Sequence, residues 1–212
     1  GTAVPEHIIP ALYSSVSVDD RRESYLMTAY LLQQGHRNIA ILSAETEINS
    51  IGQLRLEGYT QALKEKGIPV NENLIRRVED DVEHYSMENG YLTTRSLLAS
   101  GEPFTAIFAT ADILAVGACR ALVEAGVRIP EDVSVTGFDG IDMAEYYNPS
   151  ITTMKQPVKD MAKTTARLLF DMIAGRKGYE HILFSAELAV RESSGPAKGL
   201  GESKQLPAGK KG

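Results

Sequence analysis

Residues 21–42 read RRESYLMTAYLLQQGHRNIAIL, and this stretch decides the fold class. Arg21 to Gln34 carries strong helix formers and stops at Gly35, the residue type expected just past a helix end. Ile39-Ala40-Ile41-Leu42 then forms a short, unbroken apolar run, the pattern of a strand covered on both faces. The same unit recurs downstream. Ser50 to Lys66 predicts a helix ending at Gly67, and Leu74 to Val78 a weaker strand. Ser86 to Ala99 predicts the next helix and Ala106 to Ala109 the next strand. Asp112 to Ala125 is closed by Gly126, and Val133 to Gly137 follows as a strand. Strands separated by helices of this length imply right-handed crossovers and a parallel sheet flanked by helices, so the fold class is α/β.

Outside this core the rhythm changes. Residues 1–15 carry Pro5 and Pro10 without a clear period and are expected to be a linker or remnant. Ile151 to Gln156 is an extended segment ahead of Pro157. Val158, Met161, Ala162, Thr165, Leu168, Leu169, Met172 and Ile173 then recur at spacings of three and four, an amphipathic helix. Two strand-like runs follow, Ile182 to Phe184 and Glu187 to Val190. Residues 195–212, rich in Gly, Pro, Lys and Ser, are expected to be a disordered tail.

Composition narrows the function. The 212 residues are 43% hydrophobic and 24% charged, enough to bury a core and unlike a disordered chain. No apolar run approaches the roughly 20 residues of a membrane helix, and no secretory-type leader opens the chain. A single cysteine, Cys119, excludes a disulfide framework and fits a reducing compartment. The net charge is −6, and the tail from Gly195 carries four lysines against one glutamate, which leaves the rest of the chain near −9. That balance argues against direct nucleic-acid binding.

The common chemical motifs are missing as well. There is no phosphate-binding Gly-x-x-x-x-Gly-Lys-Ser/Thr loop, no Gly-x-Gly-x-x-Gly and no Gly-x-Ser-x-Gly elbow. The four histidines lack metal-ligand spacing, so neither a metal nor a cofactor is expected. His36 is placed to cap or meet the end of the preceding helix, and Cys119 to pack as a small hydrophobe. No constellation argues for an enzyme.

One clustering points elsewhere. Open parallel sheets bind ligands outside the carboxyl ends of their strands. The residues that follow those ends include Arg55, reached through 43–50, then Tyr85, Asp112 and Asp139. A guanidinium, an aromatic face and two carboxylates would share one rim, suited to hydroxyl groups and the apolar face of a sugar. Each also has a local reading: Asp112 as a helix N-cap or first-turn acid, Arg55 paired with Glu57 or another acid, Tyr85 as loop cover, Asp139 closing a turn with Gly140.

Several runs together resemble LacI/GalR-type transcriptional regulators. They are Val18-Asp19-Asp20, the Gly35-to-Leu42 run with its "GHR-x-I-A" signature, and Arg55-Leu56-Glu57-Gly58-Tyr59. Phe104 to Ala109, Ile129 to Asp139 and Ile151 to Pro157 continue the match in the family's order, from about Val16 to Arg191. The resemblance implies a periplasmic-binding-protein-like type I module of two subdomains with a small molecule between them. It implies that most of this chain is the C-terminal subdomain, residues 16–150. Residues 151–176 would be a crossover strand and helix of the N-terminal subdomain, and 177–194 return strands to the C-terminal one.

In that family Arg55, Tyr85 and Asp139 lie at effector-contacting positions; Ala111 and Asp112 are counted with them as candidate effector-binding residues. Ala111 stands where sugar-binding members often carry Asn, and Gly140 where Asp or Asn is usual. The implied function is the effector-sensing domain of a cytoplasmic, homodimeric repressor that binds a sugar or sugar derivative. Operator DNA would be contacted only through an N-terminal domain that this chain lacks. A periplasmic sugar-binding protein of a transporter shares the fold and is the alternative. Further expectations are half a cleft with weak effector affinity, and self-association through the bare face of the 158–174 helix. Replacing Arg55 or Asp139 by alanine in the full-length parent is expected to abolish the effector response with the fold intact.

Overall fold

A computed structural model describes residues 13–43, 50–78, 84–176 and 178–198. The expected linker at 1–12 and the tail from 199 onward lie outside these described residues, as do 44–49 on the path from the first predicted strand to Arg55. The elements run in chain order as β1 (Ser15–Val18), α1 (Asp20–Gln33), β2 (Ile39–Ser43), α2 (Ile51–Glu65), β3 (Ile75–Arg77) and α3 (Met87–Ser100). They continue as β4 (Ala106–Ala109), α4 (Asp112–Glu124), β5 (Ser134–Asp139), α5 (Asp142–Tyr146), β6 (Thr152–Lys155), α6 (Val158–Ile173), β7 (His181–Phe184) and β8 (Glu187–Ala189).

Six strands form one sheet in the order β3-β2-β4-β5-β6-β8. All neighbours are parallel except β8, which runs antiparallel to β6 at the edge. Side-chain parity along the strands divides the core in two. Ala40, Leu42, Ile107, Ala109 and Val135 face the layer that holds α3 and α4. Ile39, Ile41, Ala106, Phe108, Phe138 and Met154 face the layer of α1 and α2. Because both faces are covered, the strands read as continuous apolar runs rather than as an alternation.

The helices in each layer touch backbone to backbone at glycine. A Cβ on Gly58 would fall 2.1 Å from the Arg21 carbonyl oxygen, so α1 and α2 cross in contact. In the other layer Gly90 and Gly117 do the same for α3 and α4, at 2.1 Å from Leu114 O and 2.0 Å from Met87 O.

The structure differs from the sequence reading in several places. Ser15–Val18, at the edge of the expected linker, is a strand paired in parallel with β7 in a separate two-stranded sheet. Of the two expected return strands, only β8 joins the main sheet, while β7 pairs with β1. Thr152–Lys155 is itself a strand of the main sheet, beside β5, and the chain leaves that sheet only at α6. Helix α5 has only five residues, too few to show a period.

The tail does not begin at Gly195, because Gly195–Lys198 is described and docked. Ala197 N–H donates to Gln34 O at 2.8 Å, and His36 Nε2 bonds Gly195 O at 3.0 Å. His36 therefore does not lay its ring on the helix end. The ring is buried between Thr105 Oγ1 and the Gly195 carbonyl, its backbone N–H caps Leu31 O, and Arg37 reaches the Leu32 carbonyl instead. Cys119 is fully buried, and burial pushes its thiol up to about 12.

Helix α6 buries only Leu168; Val158, Leu169, Phe170 and Ile173 are exposed, Ile173 at 73%. Its sequence is strongly amphipathic, so an apolar face meets solvent in the isolated chain.

Candidate functional site

The carboxyl ends of β2, β4, β5 and β6 and the first turns of α1, α2 and α4 meet along one edge of the main sheet. Arg55 lies in the second turn of α2, which is opened by Ser50 as N-cap. Its side chain is buried, and each of its three nitrogens meets a protein oxygen. Nε donates to Asp20 Oδ1 at 2.8 Å, Nη2 lies 2.8 Å from the same oxygen, and Nη1 donates to the Thr110 carbonyl. Nη2 also lies 3.5 Å from Asp139 Oδ1, and the guanidinium carbon sits 3.6 Å above the Phe138 ring. The ion pair is therefore with Asp20 and Asp139. Glu57, the neighbour that sequence spacing offered, takes Arg21.

Asp139 ends β5 with φ 110°, a conformation that L residues rarely adopt and that costs about 1–3 kcal/mol. Gly140 follows at φ 76°. The carboxylate accepts from Gln156 Nε2 at 2.9 Å while its backbone carbonyl accepts from Gln156 N–H at 3.1 Å. Burial pushes the Asp139 carboxyl up to about 6; Arg55 opposes this, and the negative charges of Asp112 and Asp20 add to it. Asp139 is thus a partly exposed carboxylate, backed by a cation already held elsewhere.

Asp112 and Ala111 are on the same edge but turned inward. Ala111 is the N-cap position of α4, 2% exposed, and supplies no side-chain cap. Asp112 is the first-turn acid of α4, but its side chain does not cap that helix. Its Oδ2 accepts from Gly140 N–H at 2.7 Å and Ile141 N–H at 2.9 Å, and its Oδ1 accepts from the Thr153 hydroxyl at 2.6 Å. Burial raises its pKa against these hydrogen bonds. Tyr85 is half-buried, one residue ahead of the α3 N-cap Ser86, and packs on the α3–α4 core. Residues 79–83, just before it, are outside the described residues.

The edge thus gathers Arg55, Asp139, Asp112 and Ala111, and adds Asp20, Thr110, Phe138 and Gln156, which the sequence reading did not single out for the site. Asp20, Phe138 and Gln156 stood inside the quoted family runs, so a search for a counter-ion to Arg55 would have reached Asp20. Among the described residues no three His, Cys, Asp or Glu side chains are grouped to hold a metal ion. No helix among them is long and apolar enough to cross a membrane.

Residues 28–194 match the family of periplasmic binding protein-like domains. The chain is 39% identical over 183 residues to the HTH-type transcriptional regulator MalR of Clostridium butyricum, covering 85% of this chain and 52% of that protein. It is 36% identical over 170 residues to the ribose operon repressor of Haemophilus influenzae, covering 80% of this chain and 49% of the repressor. The chain therefore spans about half the length of these curated relatives. Among solved structures, a LacI family transcriptional regulator from Enterococcus faecium with bound ribose is 36% identical, with a TM-score of 0.77 over 87% of this chain and 67% of that one.

Proposed function

The chain belongs to the periplasmic-binding-protein-like effector domains of LacI-family transcriptional regulators, and from that premise we propose that it is the sensing part of a bacterial repressor whose effector is a sugar or sugar derivative. The observation that carries this reading is the meeting of Arg55, Asp139 and Gln156 at the carboxyl edge of a parallel sheet, where such folds bind ligands. Asp139 offers its carboxylate to sugar hydroxyls, and Gln156 an amide. Arg55 holds the backing charge and the Phe138 ring in place. Tyr85 supplies an aromatic face from the start of α3, and Ala111 and Asp112 shape the floor.

The ligand would sit between this edge and a second lobe. Its differential affinity for two lobe orientations would alter the operator affinity of a homodimer, a coupling free energy between two sites. Operator contact is assigned to a part of the regulator that this acidic chain does not span, and the site of action to the cytoplasm. Ribose, held by the similar regulator from Enterococcus faecium, is the first effector to test. Isothermal titration of the full-length regulator with ribose and related neutral sugars should give binding that Asp139→Ala removes. Binding unchanged in that variant would overturn the site. Operator release by none of the sugars would overturn the effector class.

A further inference from the structure

The loop that carries Asp139 out of β5 does not hold itself. Asp139 at φ 110° and Gly140 at φ 76° form two successive residues in a region that an aspartate occupies only when its surroundings over-determine it. The reversal turns the Gly140 and Ile141 amides toward Asp112, while the Asp139 side chain meets Gln156 and Arg55. Asp112 receives both amides on one oxygen and the Thr153 hydroxyl on the other. It is fully buried, so its charge has no solvent to weaken these bonds.

The fit leaves no slack around this carboxylate. A Cβ on Gly137 would lie 2.2 Å from Asp112 Oδ1, and a Cβ on Gly140 would lie 2.6 Å from Lys155 Cα. Asp112 thus joins three elements: the start of α4 that bears it, the loop between β5 and α5, and β6 through Thr153.

We propose that Asp112 is a positioning residue of the effector site: it contacts no ligand, and it fixes the backbone of residues 139–141 so that the Asp139 carboxylate stands at the cleft beside Arg55. The proposal rests on the reading of this edge as the effector site and refines one member of it. Sequence reasoning placed Asp112 among the effector contacts, but its committed oxygens assign it to the support behind them. Its negative charge also adds to the upward push on the Asp139 carboxyl.

The test is carboxyl-carbon and amide NMR on this chain with two variants. Asp112→Asn keeps the shape but offers one acceptor and turns an NH2 group toward protein donors. Thr153→Val removes one donor to Asp112 and nothing else polar. In folded Asp112→Asn the Asp139 midpoint should fall, because a neighbouring negative charge is gone. Gly140 and Ile141 amides should exchange about tenfold faster than the remaining core amides change. Thr153→Val should accelerate the same two amides by a smaller factor, and it carries the test if Asp112→Asn does not fold.

A purely structural role would instead speed all core amides alike, with no excess at Gly140 and Ile141, and that result overturns the proposal. Ribose titration of wild type and Asp139→Asn is run in parallel. Absence of sugar binding at the edge would sink the effector reading, yet the NMR response would still show whether Asp112 holds the loop.

Discussion

Replacing Arg55 by alanine should destabilise the domain. The side chain is 4% exposed, and its loss leaves Asp20, 7% exposed, without the guanidinium that meets it at 2.8 Å. Breaking a buried ion pair by deleting one partner costs about 3–5 kcal/mol. The Thr110 carbonyl loses its Arg55 donor, and Phe138 loses the group stacked on its ring. For a domain of this size 1 kcal/mol moves the melting temperature by about 2–4 °C, so Arg55→Ala should melt about 6–20 °C below wild type. This departs from the sequence-based expectation that the fold stays intact, and the melting temperature decides between them.

The decisive assay is a double-mutant cycle in urea with Arg55→Ala, Asp20→Asn and the pair. Neutralising Asp20 removes the buried charge that has lost Arg55, so the double variant should recover about 1–3 kcal/mol relative to the sum of the singles. A cost below about 1 kcal/mol for Arg55→Ala, or strict additivity, would refute the buried-pair argument.

Other perturbations follow from the same geometry. Asp139 titrates near 6 when folded and near 3.8 when unfolded, so stability should fall as pH rises through that window. Asp139→Asn should therefore gain on wild type between pH 4 and 6 and hold that gain above it. The gain should be about 1–2 kcal/mol once screening of a carboxylate 35% exposed is allowed for, and a pH-independent difference in urea midpoints would contradict it. Burial lowers the His36 pKa below 6.5, so its contribution is complete above pH 6.5 and is lost as pH falls through that value. Amide exchange of Gly195 and Ala197 should rise on acidification in wild type and be fast at every pH in His36→Ala. Gly117→Ala drives a methyl against the Met87 carbonyl and should cost about 1–3 kcal/mol by thermal denaturation. The exposed face of α6 should drive self-association, and Phe170→Glu with Ile173→Glu should shift sedimentation toward monomer.

The fold class was legible in the sequence because a sheet covered on both faces writes its central strands as short apolar runs. Ile39–Leu42 and Ala106–Ala109 are such runs, and glycines at 35, 67 and 126 mark where helices stop. What stayed hidden depends on partners distant in the chain. Ser15 pairs with His181, so neither β1 nor the placement of β7 has a local signature. Glycine- and proline-rich composition made 195–198 look free, although His36 and Ser134 tie Gly195 down.

The site shows the same division. Position after a strand end was enough to place Arg55 and Asp139 on one edge. Nothing local said that Arg55 would reach back to Asp20 rather than to Glu57, or that Asp112 would turn away from its own helix toward Gly140. Those choices are made by packing, which brings α1 against α2 and β5 against β6.

The most direct test of the central claim is an amide-NMR titration of this chain with a panel of neutral sugars beginning with ribose. The account predicts weak, saturable shifts at Gly140, Ile141 and Gln156 and at the Arg55 side chain, all absent in Asp139→Ala. Shifts that cluster away from the carboxyl edge, or that persist in Asp139→Ala, would contradict it.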